Sequence, residues 1–144
     1  IEEIINSFQL IAEDTGIKLE FKASASSIFI NFDADKVEKI INNIISNAIK
    51  YTSSHGKVTV NVTQVFIDDI EGGNLLIPPL DKDNTEHTDF VKIQVVDSGM
   101  GISAENLPKI FDRFRRVNSG NDERTQGSGI GLALTKELVK IHQG

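Results

Sequence analysis

Residues 35 to 51, DKVEKIINNIISNAIKY, hold the longest unbroken helical period in the chain, and they constrain its fold more than any other stretch. At about 100° per residue, Val37, Ile41, Ile44, Ile45 and Ala48 share one arc, Asn43, Asn47 and Lys50 share another, and Tyr51 falls between them. The apolar arc is a face to be buried. The polar arc is less ordinary. Asparagine is a poor helix-interior residue because its amide competes for backbone groups, so two of them a turn apart carry a local cost, and a cost suggests a use. An amide oxygen can ligate a hard cation such as Mg²⁺, which keeps most of its waters and takes its other ligands from phosphates; Lys50 would then reach phosphate. The plainer alternative is a solvated face on which two asparagines fall by chance.

Around this helix the periodicity changes. Ile4, Ile5, Phe8, Ile11 and Ala12 recur at helical spacing and Gly16 ends the pattern. Ile17, Leu19 and Phe21 alternate with charged residues, and Ile28, Ile30 and Phe32 alternate in turn, so these read as two half-buried strands of an antiparallel pair. Asp33 or Asp35 is placed to cap the long helix. Val58, Val60 and Val62, then Val91, Ile93 and Val95, supply two further strands, and a last helical pattern runs from Leu132 to His142. Residues 68 to 89, with Gly72-Gly73, Pro78-Pro79 and several acids, read as a long solvated excursion. The chain is therefore expected to be one α/β domain over residues 1 to 144.

Its 39% hydrophobic content is enough for a core of that size, and a formal charge of −6 argues against nucleic acid or an anionic membrane surface as partner. The absence of cysteine excludes disulfides and thiolate metal sites and fits a reducing compartment. No signal peptide and no apolar run long enough to span a bilayer is present, so direct membrane contact from this segment is not expected, and the expected setting is cytoplasmic.

Two glycine runs carry the next signal. Gly127-Ser128-Gly129-Ile130-Gly131 leads straight into the last helical pattern, where backbone N–H groups and the positive end of a helix together make an anion site. Asp97-Ser98-Gly99-Met100-Gly101 follows a β-like stretch and places a carboxylate where a nucleobase could be read. Neither run has the spacing of the dinucleotide-binding or P-loop motifs, so any nucleotide site here is of a different kind.

Taken together, Asn43-Ile44-Ile45-Ser46-Asn47-Ala48-Ile49-Lys50-Tyr51, Asp97-Ser98-Gly99-Met100-Gly101-Ile102, Ile110-Phe111-Asp112-Arg113-Phe114-Arg115-Arg116-Val117 and Gly127-Ser128-Gly129-Ile130-Gly131-Leu132 resemble the N, G1, F and G2 boxes of bacterial sensor histidine kinases, in that order and at that spacing. The resemblance implies the ATP-binding catalytic domain: a two-layer α/β sandwich, its mixed, mostly antiparallel sheet covered on one face by helices, of the kind shared with gyrase, the Hsp90 chaperones and the mismatch-repair ATPases. The family normally continues through a final hairpin, so this chain is expected to lack its last strands.

The same resemblance assigns Asn47 to Mg²⁺, Asn43 and Lys50 to the phosphates of ATP, with Lys50 also catalytic, Tyr51 to the nucleoside, Gly101 and Ile102 to the base pocket, and Gly99 to nucleotide binding. Asp97 takes the adenine amino group, and there a physical reason stands beside the family one: a carboxylate only accepts hydrogen bonds, so it favours an amino donor over guanine's carbonyl. Gly127, Ser128, Gly129, Ile130, Gly131 and Leu132 fall to the phosphates, with residues 118 to 126 as a lid. Arg116 matches the arginine that meets the terminal phosphate, where charge builds during transfer. Phe111 and Phe114 are expected to be mainly core packing.

Implied partners are a histidine-bearing dimerisation domain of the same protein, which would act as a homodimer, and the receiver domain of a response regulator. None of His55, His87 and His142 has the setting of an acceptor histidine. Two rivals are a stand-alone ATPase of the gyrase or chaperone type and a non-catalytic nucleotide-binding or interaction module. The related hydrolases place a water-activating glutamate where this chain has Asn43, which disfavours the first. Binding of Mg²⁺-ATP and labelling of a supplied histidine domain separate the second.

Overall fold

A computed structural model describes residues 1–28, 30–66, 89–115 and 128–142. The excursion at 68 to 89, the lid at 118 to 126, and Arg116 and Gly127 lie outside the described residues, save for Asp89.

The opening pattern folds as two short helices, α1 (Glu2–Ser7) and α2 (Gln9–Asp14), which meet at Phe8. Ile5 and Ala12 are buried and Ile4 and Phe8 pack at the edge of the core, whereas Ile11 is half exposed and falls outside the arc expected for it. Gly16, with φ of 70°, ends the helical run and turns the chain into β1 (Lys18–Ala23).

The long helix α3 spans Ala34–Tyr51 and is capped by Asp33, whose carboxylate accepts the Lys36 N–H at 3.1 Å. Its buried residues are Ile40, Ile41, Ile45, Ala48 and Ile49, with Val37 and Ile44 half-buried, so the apolar stripe is centred where the periodicity put it but is wider. The cap has a second tie. The Asp33 N–H donates to His142 Nε2 at 3.3 Å, while His142 Nδ1 lies 2.8 Å from the Leu138 carbonyl, so this histidine joins the end of the last helix, α4 (Gly131–Ile141), to the start of α3.

Strands β2 (Lys57–Phe66) and β3 (Asp89–Asp97) complete, among the described residues, a sheet of order β1-β2-β3. β2 and β3 are antiparallel, from Val58 opposite Asp97 to Phe66 opposite Asp89. β1 and β2 are parallel, with Lys18 opposite Lys57 and Ala23 opposite Val62. The antiparallel pairing expected between residues 17–22 and 28–32 is not what forms: Ile28 and residues 30 to 32 are not in a strand, and Ile30 and Phe32 are 42% and 46% exposed. The reason lies in α3, since a helix between two strands returns the chain to the same end of the sheet and makes them parallel neighbours.

Leu19, Val58 and Val60 form the inner face of the sheet and meet Ile41, Ile45, Ala48 and Ile49 of α3 together with Ile5 and Ala12, with Phe21, Ile93 and Val95 at the margin. The inner face is therefore an aliphatic core shared by sheet and helices.

The outer face carries charge. Glu20 pairs with Lys18 at 2.8 Å and Lys57 at 2.9 Å, and hydrogen bonds to these ammonium groups pull its carboxyl from 4.5 down to about 2. A carboxyl whose folded pKa is depressed stabilises the fold fully above its unfolded pKa and loses that contribution as the pH falls through the folded value. Because the cluster faces solvent, the effect is small and weakened by salt. Thermal melts of wild type and Glu20→Gln should differ slightly at pH 7 and converge near pH 2. A difference that persists at pH 2 would show that it does not come from the carboxylate charge.

Candidate functional site

The two glycine runs pack at different places along α3, one on Asn43 of the polar arc and the other on Tyr51 at its end. Asn43, Asn47 and Lys50 are all half-buried, and Tyr51, the last residue of the helix, is 37% exposed with the Lys50 ammonium 5.1 Å from its ring centre. Thr52 follows, its hydroxyl donating back to the Ala48 carbonyl at 2.7 Å to close the helix.

The Asp97 run packs on this C-terminal end. The Met100 N–H donates to the Tyr51 carbonyl at 3.4 Å, and a Cβ on Gly99 would lie 2.4 Å from that same oxygen, so only glycine lets strand end and helix end approach this closely. Ser98 fastens the turn to β2, its Oγ accepting the Lys57 N–H at 2.8 Å and its own N–H donating to the Lys57 carbonyl at 3.0 Å. Asp97 is exposed at the end of β3 with Oδ1 accepting the Gly99 N–H at 2.8 Å. One carboxylate oxygen thus shapes the turn, and the second is a further acceptor at the same place. Gly101 has φ of 69°, and a Cβ there would meet no atom within 4 Å; Met100 and Ile102 beside it are 67% and 46% exposed. This is an open, partly apolar ledge next to a carboxylate.

The second glycine run packs on the middle of α3. A Cβ on Gly131 would lie 2.1 Å from Asn43 Oδ1, so the start of α4 touches the asparagine directly. On the other side of Oδ1, the Asn43 amide nitrogen donates to the Thr135 hydroxyl at 2.7 Å. No side chain among the described residues caps α4, and its first turn carries no acidic residue. Its leading N–H groups and the positive end of its dipole are thus available to an anion.

The aromatic segment is tied to the same loop, since the Phe114 N–H donates to the Gly129 carbonyl at 2.9 Å. Phe114 itself is 74% exposed with φ of 62°, and Phe111 is 41% exposed with the Lys136 ammonium 5.4 Å from its ring. The expectation that both are mainly core packing does not hold: the left-handed turn that lets Phe114 reach Gly129 points its ring away from the core.

The structure therefore brings Gly131 and Thr135 against Asn43, and Gly99 and Met100 against Tyr51, while Gly129 is tied to Phe114. The residue that sequence reasoning missed is Thr135. Its one available signal was its position four residues after Gly131, on the same face of α4. The donor set suits a nucleotide bound with a hard cation: a neutral amide at Asn47, an ammonium at Lys50, an uncapped helix start, and a carboxylate beside an open glycine ledge.

Known proteins resemble the chain in sequence and in fold. A family described as histidine kinase-, DNA gyrase B-, and HSP90-like ATPase matches residues 32–144. Relatives include the sensor protein kinase WalK of Staphylococcus haemolyticus, 33% identical over all of this chain and 20% of its own length, and the sensor histidine kinase WalK of Bacillus subtilis, 33% identical over 81% of this chain and 16% of its own. The chain thus spans about a fifth of the length of the curated relatives it matches. Among solved structures, the catalytic domain of histidine kinase ThkA superposes with a TM-score of 0.70 at 19% identity, covering 97% of this chain and 74% of that one. Full-length ShkA in complex with AMPPNP gives 0.66 at 23% identity, covering 96% and 24%. The chain thus has the fold of a histidine kinase catalytic domain. The chain belongs to the histidine kinase-, DNA gyrase B- and HSP90-like ATPase family.

Proposed function

We propose that this chain is the catalytic domain of a two-component sensor kinase: it binds Mg²⁺-ATP and delivers the γ-phosphoryl group to a histidine on a separate dimerisation domain, from which a receiver domain takes it onto aspartate. The observation that carries the reading is that α3 seats both glycine loops, Gly131 against Asn43 and Gly99 with Met100 against Tyr51, so that base-reading and phosphate-binding features meet along one helix. The AMPPNP bound to ShkA, a chain of the same fold, supports an adenine nucleotide as the ligand.

In this reading Asp97 accepts from the adenine amino group while Gly101 and Ile102 flank the base, with Tyr51 against the nucleoside. Asn43, Lys50 and the start of α4 hold the phosphates. Asn47 holds the cation, which supplies charge neutralisation between the phosphates. Arg116 answers the charge that builds on the transferring group. Hydrolysis is disfavoured, because the amide of Asn43 cannot activate water as a carboxylate would. Among the described residues no helix is long and apolar enough to cross a membrane. In this reading the domain belongs to the cytoplasmic part of its parent protein, which acts as a homodimer.

Incubation with γ-labelled ATP tests the proposal. The chain alone should bind nucleotide without labelling itself or releasing phosphate at a useful rate; added to the dimerisation domain of its own protein, it should label that domain. Arg116→Ala should slow the transfer far more than it weakens binding, since the guanidinium acts mainly on the transition state. Acid-labile label on the isolated chain would make one of its own histidines an acceptor. Steady phosphate release would turn the assignment toward an ATPase.

A further inference from the structure

The geometry points to Thr135 as a positioning residue for the nucleotide: its hydroxyl fixes the Asn43 amide, and the fixed amide sets where the start of α4 sits against α3. This inference rests on the nucleotide reading of the site.

Asn43 and Thr135 are 92 residues apart in sequence and joined by a part-buried hydrogen bond of 2.7 Å, with Thr135 only 6% exposed. The other end of the same amide is against Gly131, one turn earlier on α4. An amide held at both ends by one face of one helix acts as a strut, and what it supports is the uncapped run of N–H groups at the beginning of α4. Packing against Gly131 bounds the amide on one side, and the Thr135 hydroxyl is the hydrogen-bond acceptor that fixes its orientation on the other. Asn43, Gly131 and Thr135 share the wall of an open groove of about 410 Å³ with Phe8, Lys39 and Leu134, so an amide released from Thr135 has room to turn toward water. Turned, it would leave its place against Gly131, and the α4 N–H groups would lose their fixed distance from Lys50 and Asn47.

Two substitutions separate this from a role in folding alone. Thr135→Val keeps the shape and removes the acceptor; Thr135→Ser keeps the acceptor and removes a methyl. In nitrogen-edited NMR spectra of the nucleotide-free protein, the Asn43 side-chain amide pair should move in the valine variant and stay near its wild-type position in the serine variant. Mg²⁺-ATP affinity by calorimetry should fall about threefold to tenfold in the valine variant, the range expected for one neutral hydrogen bond, and be restored by serine. If valine does not fold, Thr135→Ala carries the same comparison with serine. An Asn43 amide signal unchanged without the hydroxyl, or a shifted signal with wild-type affinity, would overturn the role of Thr135 alone. Failure of wild type to bind the nucleotide would overturn the nucleotide reading, and the positioning role with it, whatever the amide signal does.

Discussion

Asp97→Ala is expected to weaken ATP binding by about tenfold to a hundredfold, the range for losing a hydrogen bond to a charged group. The substitution has two expected consequences. Asp97 Oδ1 accepts the Gly99 N–H at 2.8 Å and so shapes the turn that carries Gly101 and Ile102, while the remaining acceptor capacity of the carboxylate is proposed to serve the adenine amino group. Alanine removes both. Asparagine has one oxygen for two donors, so Asp97→Asn should fall between wild type and alanine, keeping either the turn or the base contact but not both. Calorimetric titration of the three proteins at one Mg²⁺ concentration gives the order directly. Asparagine as weak as alanine would show that the charge, rather than the number of acceptors, decides.

Ile45→Ala is expected to cost about 3 kcal/mol of folding stability, since truncating a buried isoleucine loses its transfer free energy and leaves a cavity. Ile45 is 0% exposed and stands in the cluster with Val58, Val60, Ile41 and Ala48, at the point where α3 crosses the sheet. Its neighbours along the helix, Asn43 and Asn47, are the polar arc, so the residue that anchors α3 to the core lies between the two proposed ligand residues. Against a typical total of about 5–15 kcal/mol for a domain, the loss is large. Saturating Mg²⁺-ATP should recover part of it, because a ligand that binds only the folded state stabilises by mass action. Urea unfolding with and without nucleotide measures both effects. A loss below about 1 kcal/mol would mean that the core collapses around the gap, contrary to the close packing inferred for it.

Much of this was legible in the chain because it is local. The period of residues 35 to 51, the Asp33 cap and the strand periodicity at 58–62 and 91–95 each depend on neighbours within a few positions, and each appears in the structure. What was not legible depends on partners far along the chain. Alternation identifies a strand without saying which strand it joins or in which direction, so the residues around Ile30 read as a partner of β1, whereas β2 fills that role in parallel. Apolar character alone put Phe111 and Phe114 in the core, while a backbone bond to Gly129 holds the second of them out. Thr135 belongs to the same class, since nothing near it in sequence indicates an asparagine 92 residues away. His142 likewise has its partner at the far end of α3, at Asp33.

Under the proposed function, α3 and the two glycine loops packed on it form one adenine nucleotide site. Calorimetric titration of the chain with ATP and with GTP, each with Mg²⁺, tests it most directly. The chain is expected to carry one site that binds ATP, binds GTP much more weakly because guanine presents a carbonyl to the Asp97 carboxylate, and loses its preference in Asp97→Ala. Equal binding of ATP and GTP by the wild-type chain, or ATP binding that is indifferent to Asp97, would contradict it.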